Sequence, residues 1–465
     1  MRTDVMWFRR DLRLADNPAL TAAATAEHLV CAFVLDERIL RSPRMSAARV
    51  TYLRQALVDL DDRLAAAGNR LVVLEGDPAT TLVDLARAVG AAAVHATTDH
   101  TPFATARDEA VRTALEAVEV PLESHDGTAI VRPATVLTGS GSPYQVFTPF
   151  HRAWKDARHD DPLPVPALPP APDGVPDGVD ATDHPLLAAD PLDEPWPDGG
   201  EGPARDRLDA WLADGVDDYD DQRDVLAANG TSRLSADLHL GCLSAREAWS
   251  RLDRRRTGQS TFATELAWRD FYLHVMAAWP EAARTAFRPE YRDLPWHDDP
   301  EGLQAWTEGQ TGYPVVDAAM RQLRRMGWMH NRARMIVASF LCKDLLIDWR
   351  EGEAHFLAHL VDGDIANNNG GWQWAAGTGT DAQPFFRIFN PVSQGRRFDP
   401  DGDYVRTYVP ELRDVPAPAI HSPWTLSKDD QDRYGVVIGQ DYPAPIVDHA
   451  EARDRALAWY ESNRR

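Results

Sequence analysis

Apolar and polar positions alternate in two different rhythms along this 465-residue chain. Short apolar runs at 5–8, 29–35, 70–74 and 92–96 are separated by amphipathic stretches near 17–26, 46–66, 78–89 and 105–117. Strand followed by helix, repeated, predicts a Rossmann-like α/β domain over residues 1–130, with a parallel sheet and right-handed crossovers. From about 205 the apolar positions recur every three to four residues, most clearly over 205–212, 243–254, 262–279, 315–326, 332–346 and 353–360. That period predicts an all-α C-terminal domain over 205–465. Between the two, residues 131–204 include the run PLPVPALPPAPDGVPDGVD, whose composition cannot bury a core, so an extended acidic linker over the outside is expected.

Length gives a prior of two or three domains, and 44% hydrophobic with 26% charged residues is globular. No run approaches the length of a bilayer span, and the opening MRTDVMWFRRDLRL lacks the apolar stretch of a signal peptide, so a cytoplasmic protein with no membrane partner is expected. Cys31, Cys242 and Cys342 are too scattered for a disulfide framework or a cysteine zinc site. The net charge of -23 looks hostile to nucleic acid. Its distribution changes that: residues 156–224 hold 4 basic and 20 acidic side chains, whereas 225–465 hold 28 and 33, so the helical domain can still carry a basic face. No G-x-G-x-x-G or Walker sequence follows the first strand, which argues against an ordinary nucleotide site there.

Four segments concentrate chemistry. Over 262–272 (FATELAWRDFY), Glu265, Trp268, Arg269 and Tyr272 fall at i, i+3, i+4 and i+7 and share one helix face. They make a wall suited to an aromatic, hydrogen-bonding ligand, or, more plainly, a solvated Glu265–Arg269 pair beside a half-buried indole. Over 320–335, Arg321, Arg324, Arg325, Arg332 and Arg334 have no acid among them. With Trp328 interleaved they predict an electropositive face for a phosphate backbone, in competition with an ordinary solvated helix surface. Gly327 is placed to end one helix and Asn331 to cap the next. Over 362–380 (DGDIANNNGGWQWAAGTGT), two carboxylates, three successive amides, five glycines and paired Trp372 and Trp374 predict a tight polar loop that brings backbone close to a ligand. The EF-hand spacing is missing, so no metal is expected. Thr231-Ser-Arg-Leu-Ser235 precedes a helix, where hydroxyls and free N–H groups suit a diphosphate or a plain N-cap.

These segments, with Trp7-Phe-Arg-Arg-Asp-Leu-Arg13, Thr311-Gly-Tyr-Pro-Val-Val-Asp-Ala-Ala-Met-Arg321 and the run 327–387, make nearly the whole chain resemble the photolyase and cryptochrome flavoproteins, most closely the class I cyclobutane pyrimidine dimer photolyases. The resemblance implies an antenna domain, a linker and a helical domain holding bent FAD, with UV-damaged DNA, single- or double-stranded, as partner and a monomer as the working form. It implies Tyr219, Thr231, Ser232, Arg233, Leu234 and Ser235 at the FAD phosphates and ribose, with Arg269, Arg334, Asp362 and Asp364 around the flavin and Asn368 facing its N5. Phe262 stands where some relatives have tryptophan, which puts a flavin hydrogen bond in doubt. Glu265, Trp268, Asn331, Met335 and Trp374 match the pocket for a flipped lesion, with the indoles stacking and Glu265 and Asn331 hydrogen-bonding. Arg223, Arg332, Arg387 and Gln394 match positions near the DNA strand. Trp372, Trp349 and Trp296 match an electron path from flavin to surface.

The implied chemistry is light-driven electron transfer from reduced FAD, which splits the dimer and returns the electron. Folate-binding relatives carry an Asn-Glu pair where this chain has Phe103 and Ala104, so the implied antenna is 8-hydroxy-5-deazaflavin, with methenyltetrahydrofolate or none as alternatives. A cryptochrome photoreceptor is the rival, opposed by intact Trp268, Asn331 and Trp374 and by a chain that ends at Arg465 without a long extension. A DNA-binding protein without flavin is a second rival.

Overall fold

The structure, a computed structural model, describes residues 1–382 and 384–463; Gln383, within the run 327–387, and the chain end at Arg465 lie outside them. Five parallel strands, β1 (Thr3–Phe8), β2 (His28–Leu35), β3 (Leu71–Glu75), β4 (Ala91–Thr97) and β5 (Leu122–His125), form one sheet in the order β3-β2-β1-β4-β5. The apolar pattern shows four of these. β5 reads LESH, an edge strand with one buried apolar residue, and leaves no run to detect. Side chains of β1 alternate between two cores: Val5 and Trp7 pack under the outer helices, and Met6 and Phe8 enter a larger core shared with the helical domain. The strand order reverses between β1 and β4, which opens a crevice at the carboxyl ends of the strands.

The stretch 131–204 departs from a bare linker. Phe147, Phe150 and Trp154 sit at i, i+3 and i+7, form one face of the helix Phe147–Asp156 and bury against the helix Thr257–Ala278. Leu187 and Trp196 are buried too. The extended part is hydrogen-bonded to the α/β domain, with Leu29 N–H donating to Pro170 and Val179 N–H to Val73. Its prolines suit such a coat, because they remove donors that a core would have to satisfy.

In the helical domain the stretch 243–254 contracts to the helix Ala245–Ser250, and 332–346 is the helix Asn331–Ser339 followed by a π-turn, Phe340–Asp344. The segment expected as a polar loop is a helix, Ile365–Ala376, started by Asp364, whose carboxylate accepts from Asn367 N–H at 2.8 Å, and ended by Gly377 at φ +81°. Glycine and asparagine disfavour helix locally, and tertiary packing overrides them. A Cβ on Gly370 would lie 2.2 Å from the Tyr272 ring, so glycine lets this helix press against Thr257–Ala278. Asn331 is not a cap. His330 is, its ring nitrogen accepting from Arg332 N–H at 3.1 Å.

Candidate active site

The helices Thr257–Ala278 and Ile365–Ala376 meet in an antiparallel register. Met276 clusters with Ala366, and Tyr272 covers Gly370; Trp268 lies one turn before Tyr272 and Trp374 one turn after Gly370, both half-buried. Phe147 stacks flat on Trp268, ring centroids 3.6 Å apart and 8° between planes, and Tyr272 lies tilted against the same indole at 5.8 Å, so its orientation is fixed by packing. Glu265 is one turn away. Its partner is Arg223, at 2.8 Å, rather than Arg269. Burial pushes the Glu265 carboxyl above the usual range, against the pull of Arg223. Arg269 instead donates to the carbonyls of Thr128 and Leu238, tying three segments together from inside. Met335 is half-buried and Asn331 exposed on the helix that follows.

The electropositive face is largely neutralised by acids from elsewhere in the chain, which is a correction to the sequence reading. Arg321 pairs with Glu411, Arg325 with Glu194, Arg332 with Asp224 through both nitrogens, and Arg334 with Asp362 at 2.8 Å. Arg324 donates to the main-chain carbonyl of Glu308. Arg332 also lies over Phe398, 4.5 Å to the centroid, on the helix Pro391–Phe398 that carries half-buried Gln394. Arg387 is exposed.

Around the Ile365–Ala376 helix start, charge is organised by a residue to which the sequence reading gave no role. Arg10, in the turn after β1, donates to Asp364 at 2.5 Å, to Asp99 at 3.3 Å and to the carbonyl of His239 at 3.1 Å. Burial alone would push the Asp364 carboxyl up; Arg10, His239 and the N–H of Asn367 outweigh it and hold it well below the usual range. Asn368 donates its amide N–H to the Glu353 carbonyl at 3.1 Å, which fixes the orientation of the amide.

Tyr219 opens the short helix Tyr219–Gln222 and meets Trp211 and Phe262 edge-on. Phe262 is therefore a packing residue of this corner. In Thr231–Ser235, just ahead of the helix Ser235–Leu240, Arg233 adopts φ +52°. Its guanidinium lies 5.3 Å from the Trp328 ring centroid, and its buried Nε has no partner in the protein. The indole N–H of Trp372 is likewise buried and unpartnered. A buried donor without a partner in the protein calls for an acceptor from elsewhere, and these two fit a ligand rich in acceptors such as FAD.

Trp372 and Trp349 are buried and Trp296 half-buried. They are related through helix packing. A Cβ on Gly352, in the helix Trp349–His359, would lie 2.1 Å from the Trp372 ring, and His297 N–H donates to Leu346.

A cavity of about 360 Å³ lies at the strand-order reversal. Trp7, Phe33, Asp36, Phe103 and Ala104 line one side and Ile365 the other. Arg9 and Arg107 stack on Trp7 and share Asp108; Arg38 lies over Phe103 at 5.6 Å. The cavity is thus aromatic and cationic, and Ile365 joins it to the helix carrying Asn368 and Trp374. Arg10, His239 and Phe147 were missed from sequence because nothing local to them signals a partner more than a hundred residues away.

Residues 4–170 match the family description DNA photolyase, and residues 262–462 match the FAD binding domain of DNA photolyase. The chain is 42% identical to a deoxyribodipyrimidine photo-lyase of Halobacterium salinarum, over 99% of each chain, and 44% identical to one of Streptomyces griseus, over 98% of each. A crystal structure of a class III photolyase from Agrobacterium tumefaciens superposes with a TM-score of 0.93 at 39% identity, covering 99% of this chain and 98% of that one. Matched in sequence and fold over nearly its whole length, this chain belongs to the DNA photolyase family, as an FAD-binding enzyme of light-dependent DNA repair.

Proposed function

We propose that the lesion is a cyclobutane pyrimidine dimer, held flipped out between Trp268 and Trp374. The observation that carries this is the close packing of the two helices at Tyr272 and Gly370, from which Trp268 and Trp374 each lie one turn away, with Phe147 stacked on Trp268. Two stacked pyrimidines offer π-faces to both indoles, and Met335 supplies polarisable contact at the edge. Glu265 and Asn331 hydrogen-bond the base edges, and Arg223 fixes the Glu265 carboxyl in place. Arg332, Arg387 and Gln394 lie along the strand, where Arg332 exchanges Asp224 for a phosphate.

FAD, when bound, supplies the electron that light drives into the dimer. The chain's own residues then have three tasks. Thr231, Ser232, Arg233, Leu234, Ser235 and Tyr219 hold the diphosphate and ribose. Asp362, Asp364, Arg334, Arg269 and Asn368 surround the ring system. Trp372, Trp349 and Trp296 carry the electron that restores the reduced cofactor. The closed helix contact at Gly370 excludes water from the site, so the fixed dipoles around it act at full strength on transient charge.

The 360 Å³ cavity takes the antenna, for which we propose 8-hydroxy-5-deazaflavin: Ala104 offers no carboxylate to a pterin, whereas Phe33 and Phe103 offer apolar ring surface to a flat ligand. A cytoplasmic monomer completes the reading. The test is dimer-containing oligonucleotide incubated with reduced holoprotein in light and in darkness: recovery of intact pyrimidines in light alone is expected, and its absence would leave a flavin photoreceptor instead.

A further inference from the structure

Two aromatic residues of the C-terminal helix His449–Asn463 stand beside Trp296, and they differ in their ability to lose an electron. Trp459 lies 5.0 Å from Trp296 between ring centroids, at 41° between planes, and Tyr460 lies 6.3 Å away at 84°. Trp459 is half-buried and Tyr460 fully buried. The Tyr460 hydroxyl donates to the Ala376 carbonyl at 2.8 Å, and Lys343 Nζ, 3.9 Å from the Tyr460 ring centroid, donates to the same oxygen at 3.2 Å. A phenol gives up an electron readily only as its proton departs, and a peptide carbonyl is no base. The amine over its ring adds a further penalty for positive charge there. An indole forms a radical cation with its proton in place, and at a half-exposed position water solvates that charge.

We propose that Trp459, and not Tyr460, is the outermost member of the electron path. This rests on the reading of Trp372, Trp349 and Trp296 as its inner members. Once photoexcitation of bound, oxidised FAD has drawn one electron from Trp372 and the vacancy has passed to Trp296, Trp459 gives one electron to the Trp296 radical cation, which becomes a neutral indole. The Trp459 radical cation releases its N–H proton to water. A thiol in solution then supplies one electron, water returns a proton to the indole, and the thiol leaves as a thiyl radical and a proton. The net transfer is one electron from thiol to cofactor. An outermost carrier in contact with water keeps the vacancy far from its origin and slows its return.

The experiment follows the tryptophan radical by transient absorption after a flash on oxidised holoprotein. In Trp459→Phe the charge-separated state should decay about tenfold faster, as when a site favoured by about 1.4 kcal/mol is lost. Photoreduction with dithiothreitol should fall in parallel, and Tyr460→Phe should match the unmodified protein. FAD content and thermal midpoint equal to the parent's show that the Phe variant keeps the fold. An unchanged lifetime in Trp459→Phe, or the loss appearing in Tyr460→Phe, overturns the proposal. Trp296→Phe separates the two readings: photoreduction that survives this change sinks the inner path itself, while its abolition beside an unaffected Trp459→Phe sinks only the outer member.

Discussion

Arg10 and Asp364, 354 positions apart, are joined at 2.5 Å, so the turn after the first strand holds the cap of the helix that carries Asn368, Trp372 and Trp374. The same guanidinium reaches Asp99, on the wall of the antenna cavity. Arg10→Gln removes the cation and leaves Asp364 buried and unpaired, which costs about 3 kcal/mol. Urea unfolding should show that loss, and FAD retention on gel filtration should drop with it. Unaltered stability and retention would mean that Asp364 is held by His239 and the helix start alone.

Removing either stacking indole should weaken binding to dimer-containing DNA while flavin stays bound. The expected cost for Trp268→Ala or Trp374→Ala is about 1–3 kcal/mol each, the usual loss for a stacked base. Binding to undamaged DNA should change little in both variants and should weaken steeply with salt in all forms. Equal losses on damaged and undamaged DNA would identify the indoles as packing residues only.

The antenna cavity predicts a choice between ring systems. FAD-loaded protein should bind 8-hydroxy-5-deazaflavin tightly and quench its fluorescence by energy transfer, and should bind methenyltetrahydrofolate weakly. Tight folate binding with efficient quenching, and none for the deazaflavin, would show that a carboxylate at position 104 is dispensable for the pterin.

His330 caps the Asn331–Ser339 helix through a ring nitrogen that must be unprotonated to accept. Burial pushes its pKa down to about 4, with Asp224 opposing and nearby arginines reinforcing the shift. Between about pH 6.5 and 4 the unfolded histidine binds a proton that the folded one refuses, so this group's contribution to stability falls as the pH is lowered through that window. His330→Asn, which caps at any of these pH values, should flatten the decline of the urea midpoint from pH 7 to 5. Parallel declines in the two proteins would show that His330 takes up its proton at the same pH in the folded and unfolded chains.

The sequence by itself determined the alternation of strand and helix up to about residue 117, the helical period beyond 205, and the motifs that place Glu265, Trp268, Asn331 and Trp374 together by resemblance. Those features are legible because periodicity of 2 or 3.6 reports on neighbours along the chain. Tertiary structure alone decided the partners. Arg332 looks free in a run without acids, yet Asp224 meets it from a segment whose own composition reads as solvated charge. Phe147 lies in a stretch dominated by proline and aspartate, and only the approach of Trp268 gives it a role. The segment after Asp364 has the local preferences of a loop, and becomes a helix because Gly370 fits beneath Tyr272 and Asp364 is held by Arg10. Each of these contacts joins segments far apart in the chain, and a local pattern carries no information on which distant surface will bury it.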